Sequence, residues 1–231
     1  MTDPEVQRLR RLDVCAVSDA LDKLQLPGVV TGLPQRSSAP GGMSRIAGRA
    51  VTMKVGPGTP PPGPPKHLGC TAIEASGADN VIVVEQRSGV EAGCWGGLLT
   101  LGAKVRGVAG VVADGPLRDV DEAIAYEFPI YSRSLTSCTA RTRVVELGTQ
   151  VPVTIGLVGG AAAGGEVVVN PGDYVLADRS AVIFISPENI ERVLEAAEMI
   201  VAKEAAMAKA ILSGTPIGEV MGGNYEHMLE N

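Results

Sequence analysis

Two short stretches hold residues whose types and spacing could share one chemistry. In "DGPLRDVDE" (114–122) Arg118 stands beside Asp119, with Glu122 three residues further on. In "GCWGGLL" (93–99) Gly96 and Gly97 sit where a helix is expected to begin. Paired glycines there free backbone N–H groups at a helix N-terminus, a ready site for a carboxylate or phosphate. Arg118 would add a planar fork to the same anion, and Asp119 could hold a hard divalent cation beside it. Together these parts would chelate and polarise a 2-oxo acid. Each part also has a plainer reading. Asp114, Gly115 and Pro116 are turn residues, and acids in a first helical turn complement its dipole. Gly-Gly can serve close packing, and Arg118 with Asp119 can be a structural pair.

The two stretches can cooperate only if the elements around them end on one side of a sheet. Strands are expected over 80–85 ("NVIVVE") and 107–113, and in "FPIYS". Helical patterns over 97–106 and near 119–126 separate them. That is the rhythm of parallel crossover units, in which the loops at the strands' carboxyl ends face one crevice. Before them, 3–25 reads as one helix, with Asp3 as cap, Pro4 in the first turn and an apolar stripe from Val6 to Leu24. Residues 26–44 read as loop, 45–55 as strand and 66–76 as helix. The run "GPGTPPPGPP" (56–65) cannot join a sheet interior and reads as a flexible surface loop. From 143 to 186 short β runs separated by glycines predict a β-rich second half, hence a mixed α/β architecture. A helix over about 187–213 closes the pattern. Its row Ile190, Val193, Leu194, Ala197, Ile200 and Val201 packs inward or against a neighbouring subunit. Glu188, Glu191, Glu195 and Glu198 mark its acidic side.

Composition removes several classes of function. A net charge of −6 and 3% aromatic residues argue against a nucleic-acid platform, which needs a basic field and stacking rings. No apolar stretch approaches the ~20 residues that span a bilayer, and the first residues lack a signal-peptide pattern. A cytoplasmic protein with no membrane partner is therefore expected. Cys15, Cys70, Cys94 and Cys138 are scattered and fit neither a zinc site nor a compact disulfide framework. The two histidines, His67 and His227, are too few for a multi-histidine zinc site and do not suggest a Ser-His-Asp triad. A metal in this chain would be held by oxygens, which favours Mg²⁺ or Mn²⁺. Any acid or base is expected to be a water activated near that metal.

The segment "WGGLLTLGAKVRGVAGVVADGPLRDVDEAIAYEFPIYSR" (95–133) resembles the RraA-like family. That family includes 4-hydroxy-4-methyl-2-oxoglutarate aldolases and proteins labelled dimethylmenaquinone methyltransferases. Its motif G-x20-R-D-x2-[ED] is met by Gly97, Arg118, Asp119 and Glu122. The likeness runs from "LDVCAVSDALDKL" to "NPGDYVLAD" and the closing helix. It implies an α/β fold, a swivelling β/β/α domain with N- and C-terminal helices, over 1–231 as one domain. It also implies a metal-dependent class II aldolase with oxaloacetate decarboxylase activity, assembled as a trimer or hexamer with sites between subunits. Backbone around Gly96, Gly97, Leu98 and Leu99 would hold the oxygens of pyruvate. Arg118 would bind the carboxylate or enolate oxygen, and Asp119 would ligate Mg²⁺ or Mn²⁺. A carboxylate from the neighbouring subunit's closing helix is expected near the metal, with Glu188, Glu191 and Glu195 as candidates.

The sequence departs from the family pattern in three places. Gly97 stands where some family aldolases carry an acid, Arg179-Ser180-Ala181 replaces an acidic-glycine step, and the loop leading to His67 is distinctive. Three rival functions follow. One is a non-catalytic RraA-type regulator that binds an RNA-processing endonuclease. A class I aldolase would need a Schiff-base lysine, for which Lys104 is nearest. A methyltransferase is disfavoured by the lack of a glycine-rich nucleotide loop.

Overall fold

The computed structural model describes residues 2–42, 45–64, 66–156 and 165–222. Its centre is a run of parallel strands, β3 (Ile46–Gly56), β4 (Asn80–Glu85), β5 (Gly110–Leu117) and β6 (Ile130–Leu135). Antiparallel strands extend it at both edges. On the β3 side lie β10 (Tyr174–Ala177), β11 (Val182–Ile185) and β1 (Val29–Val30); on the β6 side lies β2 (Gln35–Ser37). β7 (Val145–Thr149) pairs with the far half of β3, and β8 (Val153–Ile155) with β9 (Val167–Val169) forms a separate hairpin. This is a mixed α/β architecture with one large mixed sheet and flanking helices.

Alternation along the strands divides the core. Ile82 and Val84 of β4 join Val51, Met53, Val111 and Ala113 under α3 (Cys70–Glu74), α4 (Gly97–Val105) and α5 (Val120–Ala125). Val81 and Val83 point the other way, to Val112, Tyr131 and the β8–β9 hairpin residues Val153, Ile155 and Val169. A strand covered on both faces needs a continuous apolar run, which is why "NVIVVE" lacks alternating polar residues. A third cluster joins Tyr174, Leu176, Ile183 and Ile185 to α1 (Pro4–Leu9), α2 (Val14–Lys23) and α6 (Ile190–Leu212). The row on α6 thus packs inward within the chain, with Val193, Leu194 and Ala197 fully buried. A short α7 (Ile217–Val220) follows.

Three expectations need correction. The helix read over 3–25 is two helices, because Asp13 is a second cap: its carboxylate accepts from the Ala16 N–H at 2.9 Å, and Asp178 accepts from Val14 N–H at 3.1 Å. Asp3 does cap the first, accepting from Val6 N–H at 3.0 Å. The stretch 26–44 contains the edge strands β1 and β2 rather than loop alone. Most consequentially, Asp114, Gly115, Pro116 and Leu117 are not a turn but the last residues of β5. Backbone partners outside the local sequence hold them extended. Gln86 N–H donates to Asp114 C=O, Cys94 N–H to Pro116 C=O and Thr136 N–H to Leu117 C=O, all within 3.0 Å. Proline survives here at a shift in the β5–β6 register.

Candidate functional site

Extending β5 carries Arg118 and Asp119 past the sheet to the start of α4. Trp95 bridges Leu117 in parallel, and Arg118 N–H donates to Trp95 C=O at 3.1 Å. The Trp95 ring is buried, and its Nε1–H donates to Thr100 Oγ1 at 3.1 Å. Thr100 in turn donates to Gly96 C=O at 2.9 Å, so the glycine pair is fixed from both sides. Asp119 then adopts φ 57°, ψ 40° ahead of α5. That left-handed geometry is uncommon for a side-chain-bearing residue, though aspartate tolerates it better than most. It turns the carboxylate back toward α4, where Oδ2 accepts from Gly97 N–H at 3.1 Å and from Arg118 Nε at 3.2 Å.

The glycines leave the room that this packing uses. A Cβ on Gly93 would lie 2.9 Å from Arg118 Cδ, and one on Gly96 would lie 2.9 Å from Asp119 Oδ2. At Gly97 it would overlap the Glu122 carboxylate. Close packing and a candidate polar site coincide here. Gly97 N–H is taken by Asp119, which leaves Leu98 and Leu99 N–H as the first-turn donors without a partner among the described residues. The Nη atoms of Arg118 likewise make no bond there, so the outer edge of its fork stays open.

These groups line a cleft of about 620 Å³. Leu68, Ile73, Trp95 and Leu99 supply its apolar walls, and Gly96, Gly97, Leu98, Arg118 and Asp119 supply one side. Gly96, Gly97, Leu98, Leu99, Arg118 and Asp119 thus all line this cleft. Glu122 stands against Gly97 but does not line it. His67, Cys70 and Glu74 do line it, and the sequence reading missed them. Their signal was faint, a "KHLGC" following a proline run. Lys104 faces elsewhere: its ammonium donates to Tyr126 C=O, and it lines a different cleft. Cys94 lies beneath the site as a buried thiol donating to Pro116 C=O at 3.3 Å, and burial pushes its pKa up to about 12. Asp114 is a buried structural hub, accepting from Arg133 Nε and Gly156 N–H, each at 2.8 Å.

The donor set suits one kind of metal. Asp119 offers a carboxylate that is one-third exposed, and no group of three or more His, Cys, Asp or Glu converges among the described residues. A closed protein cage is therefore not built from these residues. A hard cation that keeps several waters and takes one or two carboxylates does fit. Of the candidate carboxylates on the closing segment, Glu191 is bonded by Arg8 at 2.7 Å and Glu188 by the Ser186 hydroxyl at 3.2 Å. Glu195 is exposed and makes no bond among the described residues. His227 lies outside the described residues.

Fold and site together place the molecule among mixed α/β proteins with an arginine-aspartate loop facing a glycine-started helix. The Aldolase/RraA family model matches residues 14–184, and the chain belongs to the RraA-like family. An uncharacterized protein of Methanocaldococcus jannaschii is 30% identical over 179 residues, covering 76% of this chain and 77% of that protein. A Halalkalibacterium halodurans protein, provisionally named a 4-hydroxy-4-methyl-2-oxoglutarate aldolase, is 28% identical over 210 residues, or 89% of this chain and 88% of its own length. The crystal structure of Streptomyces coelicolor RraAS2, described as an unusual member of the RNase ES inhibitor RraA family, superposes with a TM-score of 0.71. It is 23% identical and covers 88% of this chain and 95% of that one, a likeness of fold.

Proposed function

We propose that this chain is a divalent-metal-dependent carbon–carbon lyase. It cleaves a 4-hydroxy-4-methyl-2-oxoglutarate-like 2-oxo acid to pyruvate and decarboxylates oxaloacetate. The observation that carries this reading is the convergence of the open Arg118 fork, the Leu98 and Leu99 N–H groups and the Asp119 carboxylate on one apolar-walled cleft. The name given to the H. halodurans relative agrees with it.

Both reactions break a bond to C3 and leave negative charge to be spread onto the 2-oxo oxygen. Arg118 binds the substrate carboxylate through its free edge. Leu98 and Leu99 N–H groups meet the oxygens that gain charge, preorganised by the helix start. Leu68, Ile73, Trp95 and Leu99 keep water away, which strengthens those contacts. Asp119 would hold Mg²⁺ or Mn²⁺, whose Lewis acidity polarises the keto group when bound. A second copy of the chain would cover the exposed stripe Leu98, Leu101 and Val105 on α4, and Glu195 of its closing helix would be a further ligand to the metal, in a trimer or hexamer. Lys104 takes no part.

The test is pyruvate release from oxaloacetate by the intact protein. Turnover should stop with EDTA and return with added Mg²⁺ or Mn²⁺, and borohydride with pyruvate should trap no adduct. Metal-independent turnover, or a trapped lysine, would sink the reading. A second reading, an RraA-type regulator that binds an RNA-processing endonuclease, is favoured by Gly97, a position that offers no acid of its own. Absence of turnover with every metal would support it.

A further inference from the structure

We propose that His67 is the proton-transfer residue of this cleft and takes the hydroxyl proton of the aldol substrate; the proposal rests on the lyase reading above. A retro-aldol needs a base at the C4 hydroxyl, whereas decarboxylation needs none to break its bond. The ionisable groups lining the cleft are His67, Cys70, Glu74, Arg118 and Asp119. Asp119 is committed to Gly97 N–H and Arg118. Glu74 is paired with Lys66 at 2.8 Å. Arg118 offers donors and no acceptor. Cys70 is a partly buried thiol, and acid–base catalysts are most often imidazoles. An imidazole both takes and returns a proton near neutral pH.

His67 is held for that task. Its Nδ1 lies 2.9 Å from Leu68 C=O, a group that can only accept, so Nδ1 carries the hydrogen. The neutral ring therefore leaves its lone pair on Nε2. The segment after it is anchored against the glycine-started helix. Leu68 is buried, and Cys70 N–H donates to His67 C=O at 3.2 Å. Gly69, at φ 84°, donates its N–H to Glu146 at 2.8 Å. A Cβ on Gly69 would lie 3.1 Å from Leu99 Cδ1 and 3.5 Å from the Trp95 ring, so only glycine brings this turn so close to α4. The distinctive loop that departs from the family pattern thus ends by delivering a base to the cleft.

In the step proposed, His67 Nε2 takes the proton from the C4 hydroxyl. The O–H electron pair becomes the C4=O bond of one pyruvate. The C3–C4 bond breaks, and its electron pair moves onto C3 and the 2-oxo oxygen. The imidazolium then gives its proton to solvent, and the enolate C3 takes one from water, as it must after decarboxylation too, which completes the second pyruvate. In net, one proton leaves oxygen and one is gained by carbon, and no oxidant or reductant is needed.

His67 is exposed, so its replacement should not threaten folding. The measurement is the ratio of retro-aldol to oxaloacetate decarboxylase kcat/KM, in the parent and in His67→Gln, with 4-hydroxy-4-methyl-2-oxoglutarate as the aldol. Acid–base catalysis contributes roughly 10²–10⁴-fold, so the ratio should fall by about that factor. Added imidazole should recover part of the retro-aldol rate in His67→Ala. An unchanged ratio, through loss of both activities together or of neither, overturns the proposal. So does a parent that decarboxylates oxaloacetate but cleaves no aldol. A parent that turns over neither substrate overturns the lyase reading itself, and this proposal with it.

Discussion

Helices α6 and α4 both lie on the sheet, yet they treat their outer surfaces differently. α6 buries Val193, Leu194, Ala197 and Ile200 against α1, α2 and the antiparallel edge. Arg8 of α1 ties down its acidic side, bonding Glu191 at 2.7 Å and Glu198 at 2.8 Å. α4 buries Leu99, Thr100 and Ala103 but leaves Leu98 at 84% and Val105 at 80% exposed, with Leu101 between them. It also carries Gly102 in its interior, which weakens a helix by roughly 0.5–1 kcal/mol relative to alanine. The α6 layer is arranged for stability within one chain. The α4 layer gives up local stability for a polar cleft and an uncovered apolar stripe.

That contrast breaks if the two layers respond alike to substitution. The largest effect should come from Leu194→Ala, which deletes a side chain buried completely in the α6 layer. A loss of about 2–5 kcal/mol is expected, read from the denaturant midpoint. Turnover per folded molecule should persist. A loss under ~1 kcal/mol would mean that this layer is not the stabilising one.

A smaller free-energy change with the opposite readout is expected from Arg118→Lys. Hydrogen bonds to charged groups are worth ~1.5–3 kcal/mol, so losing the planar fork should cost about 10- to 150-fold in kcat/KM on oxaloacetate. The unfolding midpoint should hardly move, since the Arg118 side chain is one-third exposed. Asp119→Asn should be partly rescued by extra Mg²⁺, and Arg118→Lys should not. Both variants working like the parent would reduce the loop to a structural pair.

The smallest change in protomer stability should follow Val105→Ser, on the exposed stripe of α4 and away from the cleft. It should stay within about 0.5 kcal/mol of the parent. Light scattering should show weakened association. Unaltered assembly would remove this stripe from the proposed subunit contact.

The fold was largely legible where residues answer to their immediate neighbours. β4 was read over its observed bounds, and α4 to within one residue, because a short apolar run and a helical stripe are local signals. The break between α1 and α2 was missed, although Asp13 is a cap residue, because the apolar stripe continues across it. Of the candidate site, the two motifs Gly96–Gly97 and Arg118–Asp119 were legible, and their meeting at one cleft followed from the order of strands. His67 was not, since nothing in a proline-rich segment says which helix its end will touch.

What the residues determined by themselves was the alternation of elements, a count of two histidines among 231 residues, and the pairing of a fork-bearing arginine with an aspartate. Tertiary structure decided the state of Asp114 to Leu117. Local preference for a turn is worth little against backbone hydrogen bonds from Gln86, Cys94 and Thr136, segments at least 19 residues away at two ends of the motif's contacts. It also decided that the glycines at 93, 96 and 97 make room for Arg118, Asp119 and Glu122 rather than simply loosening a turn. A sequence records where side chains are missing. Only the packed chain records what fills the space they leave.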